Sequence, residues 1–238
     1  MATPVTGRTR DLVILLDKVI YAIARHWLLI ANLTFIVYVG LPLLAPALMA
    51  HGYERWGRLI YTIYTPFCHQ LPERSYFLYG PRFYYSLPEL LALLGGNVPA
   101  RFVGNPEIGY KVAFCQRDVA IYAAAALAGM AFGLVRKRLR PLSGKPFVRM
   151  AILFALPLAV DGGGQLVGLW ESTWITRTIT GVIAGAGVVW LIYPHIEAGM
   201  WDVRRTVVQQ LRLHDPEIIS PPCGTDDPAT QIPGNRKD

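Results

Sequence analysis

The sequence predicts an all-α polytopic membrane protein with four transmembrane helices, plus interfacial or re-entrant helices in a long loop. Hydrophobic residues make up 53% of the 238 residues and charged residues only 16%, whereas soluble domains carry about 25% charged residues. Several runs approach the roughly 20 apolar residues that a helix needs to cross a bilayer. The basic residues, which give a net charge of +7, cluster at the ends of these runs, as is typical of membrane proteins.

The same composition argues against other classes of protein. A positive net charge also suits nucleic-acid binding, but here the basic residues follow the membrane topology, so we expect no nucleic-acid partner. Three cysteines are too few for a disulfide scaffold. The N-terminus does not open like a secretory signal peptide, and we expect the first apolar run to be retained.

The chain divides into an N-terminal segment, a membrane domain and a tail. Residues 1–26 are predicted to form a cytoplasmic amphipathic segment, because charged residues are spaced among apolar ones along 11–25. Residues 27–195 form the transmembrane domain, and 196–238 a cytoplasmic, largely disordered tail. We place the four spans at residues 27–50, 119–135, 148–170 and 174–193.

The long loop, residues 51–118, is more than a simple connection. Residues 56–67 are aromatic and amphipathic, which suits an interfacial helix. Residues 87–96 are apolar but too short to span, and predict a re-entrant or surface helix. Small residues in Gly129-x-x-x-Gly133 and Gly181-x-x-x-Gly185 predict close helix packing in spans two and four.

The basic residues form three groups, which lie before span one, between spans two and three, and after span four. In a four-span topology all three groups are on the same side of the membrane. The positive-inside rule names that side as cytoplasmic. We therefore expect a multi-pass protein of the cell membrane with both termini in the cytoplasm. The long loop and the turn at 170–176 then share the outer side.

Four polar residues near the start of span two form a candidate metal site. Cys68 and His69 are adjacent in a proline-flanked stretch, and Cys115 and Asp118 share one face of a helix start. Together they offer the ligands of a tetrahedral site for a divalent metal such as zinc. A disulfide between Cys68 and Cys115 is an open alternative in an oxidising compartment, as are unlinked thiols.

Asp161 is the most informative polar residue within the predicted spans. An ionisable side chain at this depth costs roughly 2.5 to 3.5 kcal/mol, so it is either functional or held in an ion pair, with Arg177 or Arg117. The following glycines, 162–164, permit either an unwound stretch or close packing. We name Asp161 and Glu171 as catalytic candidates, although the turn at Glu171 also fits an N-cap for span four.

Further polar residues fall on the same side of the membrane as these candidates. Gln165 lies one helical turn beyond Asp161 on the same face. We expect a polar pocket in the outer half of the bundle, completed by Gln70, Arg74, Arg117, Gln165 and Arg177.

Four linked motifs resemble those of a prokaryotic membrane-protein family catalogued only as domain of unknown function 2085. The motifs are Cys68-His69-Gln70-x-Pro72-x-Arg74-Ser75, Cys115-Gln116-Arg117-Asp118-x-x-Ile121-Tyr122, Asp161-Gly162-x-x-Gln165, and Glu171-Ser172-Thr173 with Arg177 and Thr180-Gly181. The resemblance covers residues 55–195 and implies this fold and this grouping of motifs, but no activity. Many family members carry Cys-x-x-Cys where this chain has Cys115 and Asp118, so a carboxylate here replaces a thiolate ligand or removes a redox pair.

The sequence leaves four functions open. The first is a metal-dependent membrane enzyme acting on a lipid-like or small polar substrate, with Asp161 as base or extra ligand. The second is a transporter or channel with Asp161 in the polar pathway, which with so few spans would need a homo-oligomer. The third is a structural or accessory subunit with a Cys68–Cys115 disulfide. Thiol redox work is the weakest of the four, because the chain has no Cys-x-x-Cys pair.

Overall fold

The structure is a computed structural model that describes residues 7–99 and 101–214. In those residues it has six α-helices and one three-stranded sheet. The helices are α1 (Arg8–Ala50), α2 (Glu54–Tyr64), α3 (Leu87–Leu93), α4 (Gln116–Val135), α5 (Gly144–Leu166) and α6 (Trp174–His214). The strands are β1 (Ser75–Leu78), β2 (Gly104–Asn105) and β3 (Gly109–Cys115).

Four of these helices, α1, α4, α5 and α6, are long and apolar enough to cross a membrane. Their surfaces carry large apolar side chains that no other part of the described chain covers. Leu134 is 89% exposed, Leu166 87% and Leu153 60%. A soluble protein does not leave such continuous apolar surface in water, whereas lipid tails cover it at no cost. The four-helix membrane fold expected from the sequence is therefore confirmed.

The described chain forms two compact units. One takes the N-terminal residues as far as Ile30 and the C-terminal residues from Ile196. In it, the Trp27 indole N–H donates to Glu197 at 2.7 Å, and Arg204 pairs with the same carboxylate at 3.4 Å. Of the tail predicted at 196–238, residues 196–214 are helical and form the end of α6, and the residues from 215 on lie outside the described residues.

The second unit, Ala31–His195, contains all the candidate site residues. Within it, α4 and α6 approach each other closely at the predicted small-residue face. A Cβ built on Gly185 would lie 2.1 Å from the Ile121 carbonyl oxygen, and one on Gly181 would lie 2.8 Å from the Ala120 Cβ. Only glycine at these two positions allows the two backbones to come so near.

One end of the second unit is covered by residues 51–99 and 101–115, which we call the cap. In the cap, β3 lies in the middle of the antiparallel sheet with the order β1-β3-β2. Ser75 pairs with Cys115 and Phe77 with Lys111. The C-terminal part of α1, helix α2 and strand β3 share one core, made of Ala45, Met49, Ile60, Tyr61, Tyr64, Cys68, Val112, Ala113 and Phe114.

The cap partly agrees with the sequence prediction. The expected interfacial helix is α2, and the expected short helix is α3. The sheet was not predicted, because β1 and β2 have only four and two residues, and strands this short leave little alternation to detect. In β3, four consecutive residues, Lys111 to Phe114, are buried, so no alternation marks that strand either.

The long helices differ from the prediction in their lengths. The amphipathic segment and span one form one continuous helix, α1, which has Pro42 and Pro46 inside it. Of the two alternatives for the glycines at 162–164, the structure has no unwound stretch, because α5 is helical through these residues to Leu166. The glycines serve close approach instead, since a Cβ on Gly164 would lie 2.1 Å from the Trp170 ring. Helix α6 continues well past the predicted end of span four.

Candidate functional site

Three side chains meet where β3 runs into α4. The ligand atoms of Cys68, Cys115 and Asp118 all lie within 4.8 Å of one another, and we call this group the thiol cluster. Cys68 sits in the turn after α2, and Cys115 is the N-cap of α4. The Cys115 Sγ accepts from the Asp118 backbone N–H at 3.4 Å, and the Cys68 Sγ accepts from the Cys115 N–H at 3.2 Å. Both cysteines are free thiols.

The two thiols differ in their tendency to ionise. The pKa of Cys68 is lowered, chiefly because the Cys115 thiol donates a hydrogen bond to it, and the Gln70 backbone adds another. Burial and Asp118 act in the opposite direction on Cys68. The pKa of Cys115 is raised, first by that same hydrogen bond and then by burial. The pair therefore favours a thiolate on Cys68, which is the form that binds metals and acts as a nucleophile.

His69, which we expected as a fourth ligand, does not lie with the thiol cluster. Its side chain is exposed, and the group of close ligand atoms does not include it. The backbone turns sharply here, since Gln70 has a φ of 51°. The Gln70 side chain stays within the cap, where its amide donates to the Tyr61 carbonyl oxygen at 2.8 Å.

Lys111 is a residue of this site that was not predicted from the sequence. It is only 2% exposed, and its ammonium group donates to the Gln70 carbonyl oxygen. Burial lowers the pKa of Lys111 to about 8, against the opposing charges of Cys68 and Glu73. The sequence did carry a signal for this residue, since Lys111 is the single charged residue in the segment 109–115. Its charge lies close enough to Cys68 to favour the thiolate.

Asp161 is held in an ion pair across α4 and α5. The Arg117 guanidinium donates to the Asp161 carboxylate at 2.5 Å, and the two side chains are 21% and 10% exposed. A Cβ on Gly162 would lie 3.1 Å from the Arg117 guanidinium, so this glycine leaves the room that Arg117 occupies. The ion-pair alternative for Asp161 is therefore what the structure contains, with Arg117 as the partner.

Gln165 connects two further arginines to this ion pair. The best fit to its surroundings has its amide oxygen accepting from Arg74 at 3.2 Å and from Arg177 at 3.0 Å. In that orientation the amide nitrogen donates to the Ser172 hydroxyl at 3.2 Å. Arg177 also donates to the Gln116 side chain at 3.2 Å. The predicted polar residues of α4, α5 and α6 thus meet at the capped end of the bundle.

The turn at 171–173 serves mainly to start α6. The Thr173 hydroxyl accepts from the Thr176 backbone N–H at 3.2 Å, which is an N-cap contact. The Ser172 hydroxyl is buried and donates to the Asp161 carbonyl oxygen at 3.3 Å. Glu171, a catalytic candidate, is exposed.

Gln116 is the second residue that sequence reasoning missed. Its side chain is fully buried, and it donates to the Ser75 carbonyl oxygen at 3.2 Å while accepting from Arg177. Gln116 therefore connects the sheet of the cap to the first turn of α6 through hydrogen bonds. A glutamine directly after Cys115 carried no pattern by which its burial could be predicted.

Comparison with known proteins places the chain in a family. Residues 108–191 match the sequence model of a family described as "Predicted membrane protein (DUF2085)". The uncharacterised protein MJ1492 of Methanocaldococcus jannaschii is 30% identical over 175 residues, which cover 71% of this chain and 92% of that protein. The chain belongs to the DUF2085 family.

This DUF2085 protein matches no solved structure. The residues matched by the DUF2085 model begin just before Lys111 and end after Arg177, so they include Cys115, Asp118 and the Asp161–Arg117 pair. Cys68 and Arg74 lie N-terminal to the matched residues. Neither the family description nor the relative's name states an activity.

The ligand atoms of the thiol cluster in this DUF2085 protein lie close enough together that they could hold a metal ion. Two sulfur ligands and one carboxylate suit zinc, whose bonds to such ligands are about 2.0 to 2.3 Å long. Ligands around one tetrahedral ion are then about 3.3 to 3.8 Å apart. The three ligand atoms here lie within 4.8 Å of one another, so an ion would have to draw them together. The lowered pKa of Cys68 makes the metal-binding thiolate form easier to reach.

Proposed function

We propose that this DUF2085 protein is a metal-dependent membrane enzyme whose ion is held by Cys68, Cys115 and Asp118. The observation that carries the proposal is the convergence of these three ligand atoms within 4.8 Å, brought from the turn after α2 and the start of α4. Structural zinc sites use four protein ligands, whereas catalytic ones use three and keep a position for water or substrate. A three-ligand cluster belongs to the second class.

Within this proposal each polar group has its own task. The metal ion would supply an activated water for attack on a lipid-like or small polar substrate. The positive charge of Lys111 favours the thiolate form of Cys68. Asp161 positions Arg117 at the start of α4 and is not itself the base, because the guanidinium already occupies its carboxylate.

The ordered bundle gives less support to a transporter. That alternative drew on an expected unwound stretch around Asp161, and α5 is helical there. It also needed a mid-membrane carboxylate free to bind cargo, whereas Asp161 is paired with Arg117. The accessory-subunit alternative requires a Cys68–Cys115 disulfide, which a mass measurement under non-reducing conditions detects directly.

Metal analysis of the full-length protein, purified in detergent without chelator, tests the proposal. We expect a stoichiometric divalent ion, lost in Cys68→Ser and in Cys115→Ser and bound more weakly in Asp118→Asn. The matched control is Cys223→Ser, which removes the remaining cysteine and keeps the thiol cluster.

Cobalt substitution adds a spectroscopic readout, since thiolate ligands give Co²⁺ a charge-transfer band that carboxylates alone do not. Wild-type protein and Cys223→Ser should show this band, and Cys68→Ser and Cys115→Ser should lack it. Protein that binds neither zinc nor cobalt would overturn the proposal. So would a Cys68–Cys115 bridge found by mass under non-reducing conditions, and that result would favour the accessory subunit.

A further inference from the structure

Three arginines from three parts of the chain converge near the start of α4. Arg74 comes from the cap, Arg117 from the first turn of α4 and Arg177 from the first turn of α6. Arg74 and Arg177 donate to the same Gln165 oxygen, and both Arg74 and Arg117 repel Arg177 electrostatically. We call these three residues the arginine cluster.

The charge of the arginine cluster is only partly balanced. Among the described residues, Asp161 is the sole carboxylate that forms an ion pair with any member, and it pairs with Arg117. Arg74 and Arg177 have no ion-pair partner in that part of the chain, although Arg177 is only 4% exposed. Three positive charges and one negative charge leave a net charge of +2.

The hydrogen-bonding groups of the arginine cluster are also incompletely used. The Nε atoms of Arg74, Arg117 and Arg177 are buried, and none has a hydrogen-bond partner within the described chain. Buried donors of this kind are uncommon, and each one calls for an explanation. Three of them in a single cluster are spare donors for an acceptor that no described residue provides.

Helix ends increase the positive potential at this place. Arg117 and Arg177 both lie in the first turn of a long helix, where the helix dipole is positive and disfavours a cation. The C-terminal end of α5 at Leu166 offsets one of these two N-termini, and Asp161 lies in its last two turns. The arrangement is unfavourable for the protein alone and favourable once an anion is bound.

We propose that the arginine cluster is a binding site for the phosphate group of a phosphate monoester or a phospholipid headgroup. A phosphate monoester carries about −1.5 to −2 charges at neutral pH, which matches the excess charge of the cluster. Guanidinium groups bind phosphate oxygens in pairs of parallel hydrogen bonds, so several spare donors on three arginines suit such a ligand. Arg74, Arg117 and Gln165 are only partly buried, so part of the arginine cluster is accessible from the protein surface.

The proposal does not rest on the metal site. If both are right, the two sites share the start of α4, where Cys115 and Arg117 are two residues apart. The substrate class would then be a phosphorylated small molecule or a phospholipid. Because the two proposals are independent, phosphate binding is measured directly and not through enzyme turnover.

Thermal unfolding of the full-length protein in detergent tests the site with inorganic phosphate as the probe. Sodium chloride at matched ionic strength is the reference. We expect phosphate to raise the Tm in a saturable way, with the apparent Kd at least tenfold weaker in Arg74→Gln and in Arg177→Gln. Arg58→Gln is the matched control, since Arg58 is an exposed arginine of the same cap and should leave the Kd unchanged.

A second arm separates the two sources of the phosphate group. The same protein is placed in nanodiscs of phosphatidylcholine with or without phosphatidic acid. Stabilisation by phosphatidic acid and not by inorganic phosphate identifies a lipid headgroup, and stabilisation by inorganic phosphate identifies a soluble ligand. Either result supports the site if Arg74→Gln abolishes it.

Arg74 is partly exposed, so its variant remains informative if Arg177→Gln fails to fold. The proposal is overturned if neither probe stabilises the protein beyond the chloride reference. It is equally overturned if Arg58→Gln and Arg74→Gln weaken the response to the same degree. Cys68→Ser removes a proposed metal ligand and leaves the arginine cluster intact. Phosphate should therefore stabilise this variant as it does the wild type, which tests the arginine cluster independently of the metal site.

Discussion

At the scale of single residues, the ion pair between Arg117 and Asp161 is the contact on which the polar region depends most. Asp161→Asn would leave the Arg117 guanidinium partly buried without a counter-charge. Breaking a buried pair costs about 3 to 5 kcal/mol, and we expect about 3 kcal/mol because Arg117 keeps 21% of its surface exposed. Chemical unfolding in detergent measures this loss.

The control for this prediction is Arg58→Gln, which removes the exposed Arg58–Glu54 pair and should cost less than about 1 kcal/mol. The metal content of Asp161→Asn should equal that of the wild type, because Asp161 lies outside the thiol cluster. The double variant Arg117→Gln with Asp161→Asn should be more stable than the sum of the two losses predicts. Strict additivity would contradict a direct ion pair.

Lys111 gives the protein a distinctive dependence of stability on pH. Its pKa in the folded protein is lowered to about 8 by burial, from an ordinary value of 10.5. Between these two values the unfolded chain binds a proton that the folded chain does not, so stability rises with pH. The full difference amounts to roughly 3 kcal/mol, at about 1.36 kcal/mol for each pKa unit.

We therefore expect the wild type to gain stability, relative to Lys111→Met, as the pH rises from about 8 to about 10.5. Other groups titrate in this range, and subtracting the curve of Lys111→Met removes their contribution. Unfolding free energies measured in detergent at several pH values provide the comparison. Parallel curves for the two proteins would show that Lys111 stays charged in the folded state.

At the scale of the elements, the contact between α4 and α6 depends on glycine. Gly185→Ala would bring a Cβ to 2.1 Å from the Ile121 carbonyl oxygen, and a backbone atom cannot move aside as a flexible side chain can. Overpacking of this kind costs about 1 to 3 kcal/mol. We expect a lower Tm and a less compact particle on gel filtration in detergent.

Gly199→Ala, on the same helix, is the matched control, since its Cβ would meet no atom within 4 Å. It should be neutral or stabilise by up to about 1 kcal/mol, because alanine has the better helix propensity. Equal losses from Gly185→Ala and Gly199→Ala would show that α4 and α6 are not in close contact there.

At the scale of the whole molecule, four candidate spans bring both ends of the described chain to the same side of the membrane. The cap and the α4–α5 loop, residues 136–143, then face opposite sides. We predict that the cap is outside the cytoplasm, because basic residues crowd the α4–α5 loop.

Cysteine labelling of intact cells tests this orientation. Arg58→Cys in the cap and Lys137→Cys in the α4–α5 loop are both made in a Cys223→Ser background, and each position is accessible to solvent. A membrane-impermeant maleimide should label Arg58→Cys directly and Lys137→Cys only after permeabilisation. The parent Cys223→Ser protein corrects for labelling of Cys115. The reverse pattern would place both termini outside the cytoplasm.

The sequence by itself determined the membrane class and the number and order of the four spans, although α1 and α6 extend beyond the predicted bounds. It also placed most candidate residues at one end of the bundle. These properties are local, since a span is a continuous apolar run and its length follows from the rise of a helix. The side on which each loop falls then follows from counting spans. The order of spans and loops placed Cys68, His69, Cys115 and Asp118 on one side, and their ligand chemistry grouped them as one site.

The tertiary structure decided which polar residues contact one another. Arg117 and Asp161 are 44 positions apart, and Gln116 and Arg177 are 61 apart, so the rotation of each helix about its axis selects these pairs. Local conformation removed His69 from the thiol cluster, and the pairing of β3 with short strands buried Lys111. Rotation and strand pairing depend on packing between distant segments, and no local pattern in the sequence records that packing.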